Sequence, residues 1–392
     1  MSVLLPYAGE LAAYDFGPTH PMRPERFTLA VSLMRAYGMI SGEYGSGSVT
    51  VEAARIVPPR PASRDELELA HARGYVDAVI EASAEPGRFS PRRGIGPGDT
   101  PAFHGMHEAA ALACGATTQA LRCVVEGDTR RAFSVAGGLH HAHHDRAAGF
   151  CVYNDPAVAI ASVCREHPGL RVAYVDIDAH HGDGVEEAFS SSADVLTLSA
   201  HESGRYLFPG TGRVIDTGAG RGAGYAINVP LPPLADDACY RMVLRDVIAP
   251  ALAAFKPDVV FAQCGADTLH SDPLTHLGLT LAGYRDLVAG IITCADEMCA
   301  GRICVTGGGG YDAYVGVPRA WTLLLAALLG ITLPESVPES WRQSVTAMTG
   351  SEAPKGLLDD TFAPLPGVAD RVRAETASVI ERVRQASPLL EG

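Results

Sequence analysis

Short apolar segments rich in Val, Ile, Leu and Phe alternate along the chain with longer segments of helical periodicity. Side chains repeat about every 2 residues along a strand and about every 3.6 along a helix, so the two segment types predict strands and helices. Alternation of this kind builds βαβ units and a mostly parallel sheet, so the predicted fold class is α/β. We predict strands at residues 133–135, 171–176, 195–199, 258–264 and 303–306, and helices at residues 105–125, 156–166, 236–255 and 281–300.

Two segments, residues 41–61 and 85–101, are rich in Gly, Pro, Ser and charged residues and are predicted to be surface loops. Prolines become frequent after residue 330, and an amphipathic pattern at residues 369–385 predicts one more helix. We therefore expect one large domain at residues 1–330, followed by a C-terminal extension at residues 331–392 that packs on its core.

The composition narrows the range of partners. A formal net charge of -14 argues against nucleic acid, whose binding rests on Lys and Arg, and favours a cationic substrate. No signal peptide is recognisable, and the apolar segment at residues 320–331 is shorter than the roughly 20 residues that span a bilayer. The nine cysteines form no Cys-x-x-Cys pair, as is typical of free thiols in a reducing compartment. We expect a cytoplasmic protein without membrane contact.

Residues that can bind a metal ion follow two of the predicted strands. Asp178 and His180 come after the strand at residues 171–176, and Asp267 comes after the strand at residues 258–264. Ligands of an open parallel sheet bind outside the carboxyl ends of its strands, so these three side chains are expected to meet. Two oxygen ligands and one nitrogen ligand leave open positions on a cation, as a catalytic site requires. Zn²⁺ with water as fourth ligand fits, while Fe²⁺ and Mn²⁺ stay open because the ligands are harder than cysteine.

Two histidines follow a Gly-Gly pair after another predicted strand. His140 and His141 each need a partner that fixes the tautomer, and Asp176 and Asp183 flank the metal motif. An imidazole backed by a carboxylate is the usual general acid or base. We therefore predict that this pair moves protons in the reaction.

Less specific interpretations of these residues stay open beside the functional ones. Asp178 and His180 can be a buried pair that only stabilises the fold, although unpaired buried charge is costly. The Asp-x-His pattern alone also occurs in metallophosphoesterases, but no phosphate-cradling set accompanies it here. For His143 and His144 we predict the plainer role of polar surface residues in a loop.

Tyr311 follows four glycines at residues 307–310, which allow a tight turn that places the phenol over the site. Its hydroxyl is suited to hydrogen-bond a developing oxyanion. A phosphate-binding loop is the competing interpretation of the glycines, but no Gly-Lys-Ser/Thr follows. Phe150 and Phe208 stand beside glycines and are either core residues or walls of a narrow apolar channel.

Six motifs in a fixed order resemble those of the zinc-dependent histone deacetylase family, and in particular its bacterial acetoin-utilisation branch. The resemblance spans residues 20–330 and implies a three-layer arginase/deacetylase-like fold, with a mostly parallel central sheet, helices on both faces and a channel that leads to the metal. The motifs are Ala-Gly-Gly-Leu-His-His at 136–141, Gly-Phe-Cys at 149–151, Asp-Ile-Asp-Ala-His-His-Gly-Asp-Gly at 176–184, Phe-Pro-Gly-Thr-Gly at 208–212, Gly-Ala-Asp at 265–267 and Gly-Gly-Gly-Gly-Tyr at 307–311.

The resemblance also implies roles for individual residues. Zinc would be held by Asp178, His180 and Asp267. Protons would be handled by His140 and His141, backed by Asp176 and Asp183, and Tyr311 would polarise the acetyl carbonyl. The substrate would be contacted by Gly149, Phe150, Phe208, Leu274 and, at the channel rim, Asp99. One structural K⁺ would be held by Asp176, Asp178, His180, Ser199 and Ala200, and a second by Phe189, Ser192, Val195 and Tyr225.

The implied reaction is hydrolysis of N-ε-acetyl-lysine in a protein or peptide to lysine and acetate, and the bacterial branch implies acetyl-CoA synthetase as a substrate protein. Two alternatives stay open. The first is deacetylation of acetylated polyamines or other small amides. The second is a non-catalytic acetyl-lysine binding module, which would need a missing ligand, base or tyrosine. The oligomeric state does not follow from the sequence.

Overall fold

The computed structural model describes residues 3–41, 53–358, 361–362 and 364–390. A nine-stranded sheet forms its centre, and all strand pairings in this sheet are parallel. The strands are β1 (Val3–Pro6), β2 (Ile40–Ser41), β3 (Ala54–Val57), β4 (Arg131–Ser134), β5 (Val172–Asp176), β6 (Val195–Glu202), β7 (Ala226–Leu231), β8 (Val259–Gln263) and β9 (Ile303–Thr306). Their order across the sheet is β2-β3-β1-β4-β9-β8-β5-β6-β7.

Helices connect these strands and cover the sheet. They are α1 (Glu25–Ala36), α2 (Arg64–Leu67), α3 (Arg73–Ala84), α4 (Met106–Glu126), α5 (Asp155–Glu166), α6 (Asp183–Phe189), α7 (Asp237–Val243), α8 (Ala249–Phe255), α9 (Leu281–Cys299), α10 (Gly316–Leu329), α11 (Glu339–Thr349) and α12 (Pro366–Ala386). A π-helical turn at Leu244–Ile248 joins α7 to α8, so the helix predicted at residues 236–255 is continuous.

The central strands are buried on both faces. In β5, Ala173 and Val175 belong to one hydrophobic core, whereas Val172 and Tyr174 belong to a second core on the opposite face. The C-terminal half of α4 and α5 cover the second core, while α9 and α10 cover the first. Parallel strands buried in this way carry continuous apolar runs, which is why they were recognisable in the sequence. The predicted three-layer α/β fold is confirmed.

Side chains that cap the helices fix where several of them begin. The Asn154 side chain accepts a hydrogen bond from Ala157 N at 2.9 Å at the start of α5, and Thr280 Oγ1 accepts one from Gly283 N at 3.0 Å at the start of α9. Each such cap stabilises a helix by about 1 kcal/mol. The predicted helices therefore appear within a few residues of their expected bounds.

The loop prediction for residues 41–61 is wrong in part. Residues 54–57 form β3, which pairs with β1, and residues 42–52 lie outside the described part of the chain. Along β3 only Ala54 is buried, whereas Arg55 is exposed. A short strand near the sheet edge with a charged residue in it lacks the apolar run that marks central strands. The loop predicted at residues 85–101 contains the short 3-10 helix Pro91–Arg93 and one isolated antiparallel bridge between Ser90 and Ile95.

The last helices pack on the body of the fold. In α11, Trp341 Nε1 donates a hydrogen bond to Leu29 O in α1 at 3.0 Å. The helix predicted at residues 369–385 is present as α12, which packs against β7 and α7, and its Arg373 forms an ion pair of 2.6 Å with Asp236. Among the described residues, no helix is both long enough and apolar enough to cross a membrane.

Candidate active site

Four neighbouring strands end at one place in the molecule. The strands β4, β9, β8 and β5 are adjacent in the middle of the sheet, and their carboxyl ends point in the same direction because they are parallel. The segments that follow them carry, in this order, the histidine pair, Tyr311, Asp267, and Asp178 with His180. Residues that are more than 100 positions apart in the sequence are thereby brought to one crevice, as expected for an open parallel sheet.

Asp178, His180 and Asp267 form one buried cluster. His180 Nδ1 lies 3.2 Å from Asp178 Oδ1 and 3.0 Å from Asp267 Oδ2, and all three ligand atoms lie within 4.8 Å of one another. Both aspartates are completely buried. The one other group of this kind in the described ranges, Glu126 with Glu166 and His167, is largely exposed.

The charges of the cluster fit a divalent cation. Burial lowers the pKa of His180, but its hydrogen bonds to Asp178 and Asp267 outweigh this and raise the pKa to about 10. Burial and the charge of Asp178 raise the pKa of Asp267 to about 6. Two buried carboxylates so close together need a positive charge beside them, which either a proton on His180 or a metal ion supplies.

Surrounding groups orient the two carboxylates. Asp178 Oδ2 accepts hydrogen bonds from Gln263 Nε2 at 2.8 Å and Gly309 N at 2.7 Å, and Asp267 Oδ1 accepts one from Ala179 N at 2.9 Å. Such outer contacts fix the direction in which ligands point. The role of Gln263 was not predicted, although an amide inside the otherwise apolar β8 was a usable signal.

The histidine pair is held by two separate carboxylates. His140 Nδ1 lies 2.8 Å from Asp176 Oδ2, His141 Nδ1 lies 2.8 Å from Asp183 Oδ1, and the two Nε2 atoms are 3.0 Å apart. Burial lowers the pKa of His140, but the charges of Asp176 and Asp178 raise it to about 9. Burial and the charge on His140 lower the pKa of His141 to about 3. His140 is therefore the protonated partner and donates its Nε2 proton to neutral His141.

Tyr311 lies next to the metal cluster and the histidines. Its ring is 5.8 Å from Phe150 and 6.3 Å from His180 between ring centres, and its backbone N donates a hydrogen bond of 2.7 Å to Asp272 Oδ2. Burial and the charge of Asp267 raise the pKa of Tyr311 well above its usual value, so its hydroxyl keeps the proton and can donate it in a hydrogen bond. Asp272, which was not predicted, fixes the backbone of Tyr311.

Two of the residues predicted to line a channel, Gly149 and Phe208, pack against His141. Phe208 packs its ring edge-on against His141 at 5.0 Å and is 43 % exposed. Gly149 lies between the two rings, since a Cβ at this position would lie 2.4 Å from His141 Cδ2 and 2.9 Å from Phe208 Cε1. Phe150 follows with a positive φ of 66°, and Leu274 is 38 % exposed two residues after Asp272.

Asp99 lies in an exposed segment outside this cluster. Its carbonyl oxygen accepts a hydrogen bond from His20 Nε2 at 3.2 Å, and the His20 ring packs on Phe150 at 4.6 Å. His20 therefore links the exposed segment of Asp99 to the ring of Phe150. No separate sequence pattern pointed to this role of His20.

The residues assigned to potassium lie in two neighbourhoods. Asp176 and Ser199 are register partners in β5 and β6, and Ser199 Oγ hydrogen-bonds His201 Nδ1 at 2.9 Å. The second set surrounds the turn from α6 to β6. Here Phe189 O accepts a hydrogen bond from Ser192 N at 2.9 Å, Val195 begins β6, and Tyr225 O accepts one from Thr197 N at 2.9 Å.

The prediction that His143 is a surface residue is wrong. Its side chain is buried, with Nε2 at 3.3 Å from Asp183 Oδ2 and Nδ1 bonded to Glu187. The neighbouring His144 is exposed, as expected, and its Nδ1 donates to Ala70 O. The local sequence is polar, and His143 is buried only because its loop packs against α6. The burial therefore depends on tertiary structure and leaves no local sequence pattern.

A buried Asp-Asp-His cluster next to two carboxylate-bound histidines is the apparatus of a metal-dependent hydrolase. The sequence profile of the histone deacetylase domain matches residues 20–328, and the chain belongs to the histone deacetylase family, in its acetoin-utilisation branch. It is an amidohydrolase of the deacetylase type, as the resemblance of its motifs predicted.

Individual relatives support this placement over the whole chain. The acetoin utilization protein AcuC of Bacillus subtilis (strain 168) is 38 % identical over 364 residues, which cover 92 % of this chain and 91 % of that protein. The AcuC of Staphylococcus xylosus is 35 % identical, with 90 % of each chain covered. The crystal structure of an HDAC homolog from Aquifex aeolicus superposes with a TM-score of 0.83 at 30 % identity, over 97 % of this chain and 99 % of the homolog. A structure of an HDAC homolog complexed with SAHA gives 0.82 at 30 % identity, over 98 % of this chain and 100 % of that homolog.

Proposed function

We propose that this deacetylase hydrolyses N-ε-acetyl-lysine in proteins or peptides, releasing lysine and acetate, with Zn²⁺ held by Asp178, His180 and Asp267. The observation that carries the proposal is the buried cluster of these three side chains beside His141. When bound, Zn²⁺ supplies polarisation of the acetyl carbonyl and activation of a water molecule.

The histidines supply the proton transfers. His141 is the general base, because its Nε2 carries a lone pair while its Nδ1–H is held by Asp183. Without substrate, His141 Nε2 contacts His140 Nε2. During the reaction the attacking water replaces this contact and donates its proton to His141 Nε2. The imidazolium of His141 then returns the proton to the leaving amine. His140, kept protonated by Asp176, acts on this step through its charge.

Tyr311 and the aromatic rings bind the substrate. The Tyr311 hydroxyl donates a hydrogen bond to the oxyanion, since its raised pKa keeps it protonated. Phe150 and Phe208 hold the apolar stem of the acetyl-lysine between them, and Gly149 and Leu274 line the same channel. In the exposed segment, Asp99 binds the peptide backbone of the substrate.

Several finer assignments belong to the same proposal. The resident metal is Zn²⁺ rather than Fe²⁺ or Mn²⁺, and the two carbonyl-rich neighbourhoods hold structural K⁺ ions. Residues 1–330 form the catalytic domain, and residues 331–392 form an extension packed on it. The protein works in the cytoplasm, and acetylated acetyl-CoA synthetase is its substrate protein.

A second candidate function is deacetylation of acetylated polyamines. The net charge of -14 favours it, because an acetylpolyamine is a cation and a protein of this charge attracts cations. The exposed position of Asp99 supports the peptide substrate instead.

The two candidates are separated by rate measurements on acetyl-lysine peptides and on acetylspermidine, with metal analysis of the same sample. We expect kcat/KM to be larger for the peptides than for acetylspermidine. We also expect a chelator to abolish activity and added Zn²⁺ to restore it. A clear preference for acetylspermidine would overturn the choice of substrate, and activity that survives removal of all metal would overturn the mechanism.

A further inference from the structure

The two carboxylates behind the histidine pair are held very differently. Asp176 is completely buried, and it accepts hydrogen bonds from the Tyr174 hydroxyl at 2.5 Å and from Asp178 N at 3.0 Å in addition to its contact with His140. Asp183 Oδ1 contacts both His141 Nδ1 and Gly184 N. In the described part of the chain, the partner of its other oxygen, Oδ2, is His143 Nε2 at 3.3 Å.

Asp183 also borders open space. A cavity of about 440 Å³ is lined by Asp183, His143, Glu187 and Phe208, among others. A carboxylate at the edge of such a cavity can turn its second oxygen toward water unless a donor holds that oxygen. Asp176 thus has donors on both of its oxygens, whereas among the described residues Asp183 Oδ2 depends on His143.

His143 is well placed to be the donor to Asp183 Oδ2. Its backbone N donates to Arg146 O at 2.9 Å and its carbonyl oxygen accepts a hydrogen bond from His71 Nδ1 at 2.9 Å, so its main chain is fixed on both sides. Its side chain is 7 % exposed. The Nδ1 atom bonds Glu187, which leaves Nε2–H to face Asp183.

Charged and titratable groups from several segments surround His143. The helix α6 supplies Asp183, Glu186 and Glu187, while the loop residues Arg146, His181 and Asp216 line the same cavity. Burial lowers the pKa of His143, but its hydrogen bonds to Asp183 and Glu187 raise it overall. Both carboxylates therefore favour the form in which each ring nitrogen carries a proton.

We propose that His143 is a positioning residue of the reaction, which binds Asp183 Oδ2 and thereby keeps Asp183 Oδ1 on His141. The inference rests on the proposed function, because it assigns the residue that holds Asp183, the partner of the general base His141. His143 does not need to carry protons out of the site, because hydrolysis of an amide at neutral pH gives an ammonium ion and a carboxylate and neither releases nor consumes a proton. What the reaction does require is a fixed His141 ring.

Two amide substitutions distinguish the roles of the two ring nitrogens of His143. Gln places its amide nitrogen where Nε2 lies and can still donate to Asp183, whereas Asn reaches only the place of Nδ1 and can still bond Glu187. We expect His143→Asn to lower kcat about tenfold with KM changed less than twofold, as for other outer partners of site residues. His143→Gln should stay within about threefold of the wild-type kcat.

His144→Asn is the matched control, because this neighbouring side chain is exposed and bonds only Ala70 O in the described structure. It should have the wild-type kcat. Zinc content and the thermal unfolding midpoint are measured on each variant, so that loss of metal or of fold is distinguished from loss of positioning. Equal kcat for His143→Asn and His143→Gln would overturn the inference while leaving the deacetylase proposal intact. A zinc-loaded wild-type protein that is inactive on acetyl-lysine peptides would overturn the proposed function itself.

Discussion

The Cβ that Gly309 lacks would lie 2.0 Å from Asp267 Oδ2. No side chain fits into that distance, so a methyl group at position 309 must displace Asp267, one of the three proposed metal ligands. The glycine run before Tyr311 is therefore a close approach of main chain to ligand, and not only a turn.

Gly309→Ala should weaken zinc binding at least about tenfold, because the carboxylate of Asp267 must move away. The dissociation constant is measured by competition with a chromogenic chelator. Gly367→Ala is the control, since a Cβ at this position in α12 meets nothing within 4 Å. Zinc affinity of Gly309→Ala equal to the wild type would show that the metal does not use Asp267 Oδ2.

Tyr311→Phe should lower kcat on an acetyl-lysine peptide by about two to three orders of magnitude, which is the effect of removing one oxyanion donor. Zinc content should be unchanged, because Tyr311 is not a ligand. Tyr206→Phe serves as control, as this side chain is 57 % exposed and outside the site. A kcat within a factor of three of the wild type would remove Tyr311 from the mechanism.

The fold should lose stability as pH falls below about 6.5, and His71 is one cause. Its buried ring donates from Nδ1 to His143 O and accepts from Asn154 N at Nε2, both at 2.9 Å, so the neutral form is required. Burial lowers the pKa of His71 to about 4. Between about pH 6.5 and pH 4 the His71 ring is protonated in the unfolded chain but not in the folded one. Protonation therefore favours unfolding by up to about 3 kcal/mol.

Urea unfolding at several pH values between 4.5 and 8, chosen as roughly the titration range of histidine, tests this. His71→Gln should show a shallower fall of the unfolding free energy with acid than the wild type, and His144→Gln, an exposed neighbour, should keep the wild-type slope. An unchanged slope in His71→Gln would contradict the assignment.

Removal of the metal should lower the unfolding midpoint. A bound ion stabilises the folded form by about 2.7 kcal/mol at a free concentration of one hundred times its dissociation constant. The chelator-induced shift should vanish in Asp267→Asn, which no longer holds the ion. A shift of the same size in that variant would place the stabilising ion elsewhere in the protein.

The central strands and the meeting of Asp178, His180 and Asp267 could be predicted from sequence because each depends on a local pattern. Strands such as β5 and β8 are buried on both faces and so are apolar throughout, and the polar residues that follow them stand out. The strand β3, which lies second from the edge of the sheet, was not predicted because Arg55 lies in it and only Ala54 is buried. Its pairing with β1 is visible only once the sheet exists.

The outer contacts of the site were less predictable, for a common physical reason. Gln263 reaches Asp178 because β8 is in register with β5, and His143 reaches Asp183 because its loop folds onto α6. Neither relationship leaves a spacing pattern along the chain. Sequence patterns thus pointed to the residues that the structure brings together at the candidate site, whereas the partners that hold them in place required the structure.

X-ray absorption spectroscopy at the zinc edge, on protein loaded with one equivalent of Zn²⁺, tests the central claim most directly. A site made of Asp178, His180 and Asp267 predicts only nitrogen and oxygen neighbours at about 2.0–2.2 Å, with the scattering of a single imidazole. A sulfur shell near about 2.3 Å, or the scattering of two or more imidazoles, would contradict it, because a cysteine or a second histidine would then hold the ion.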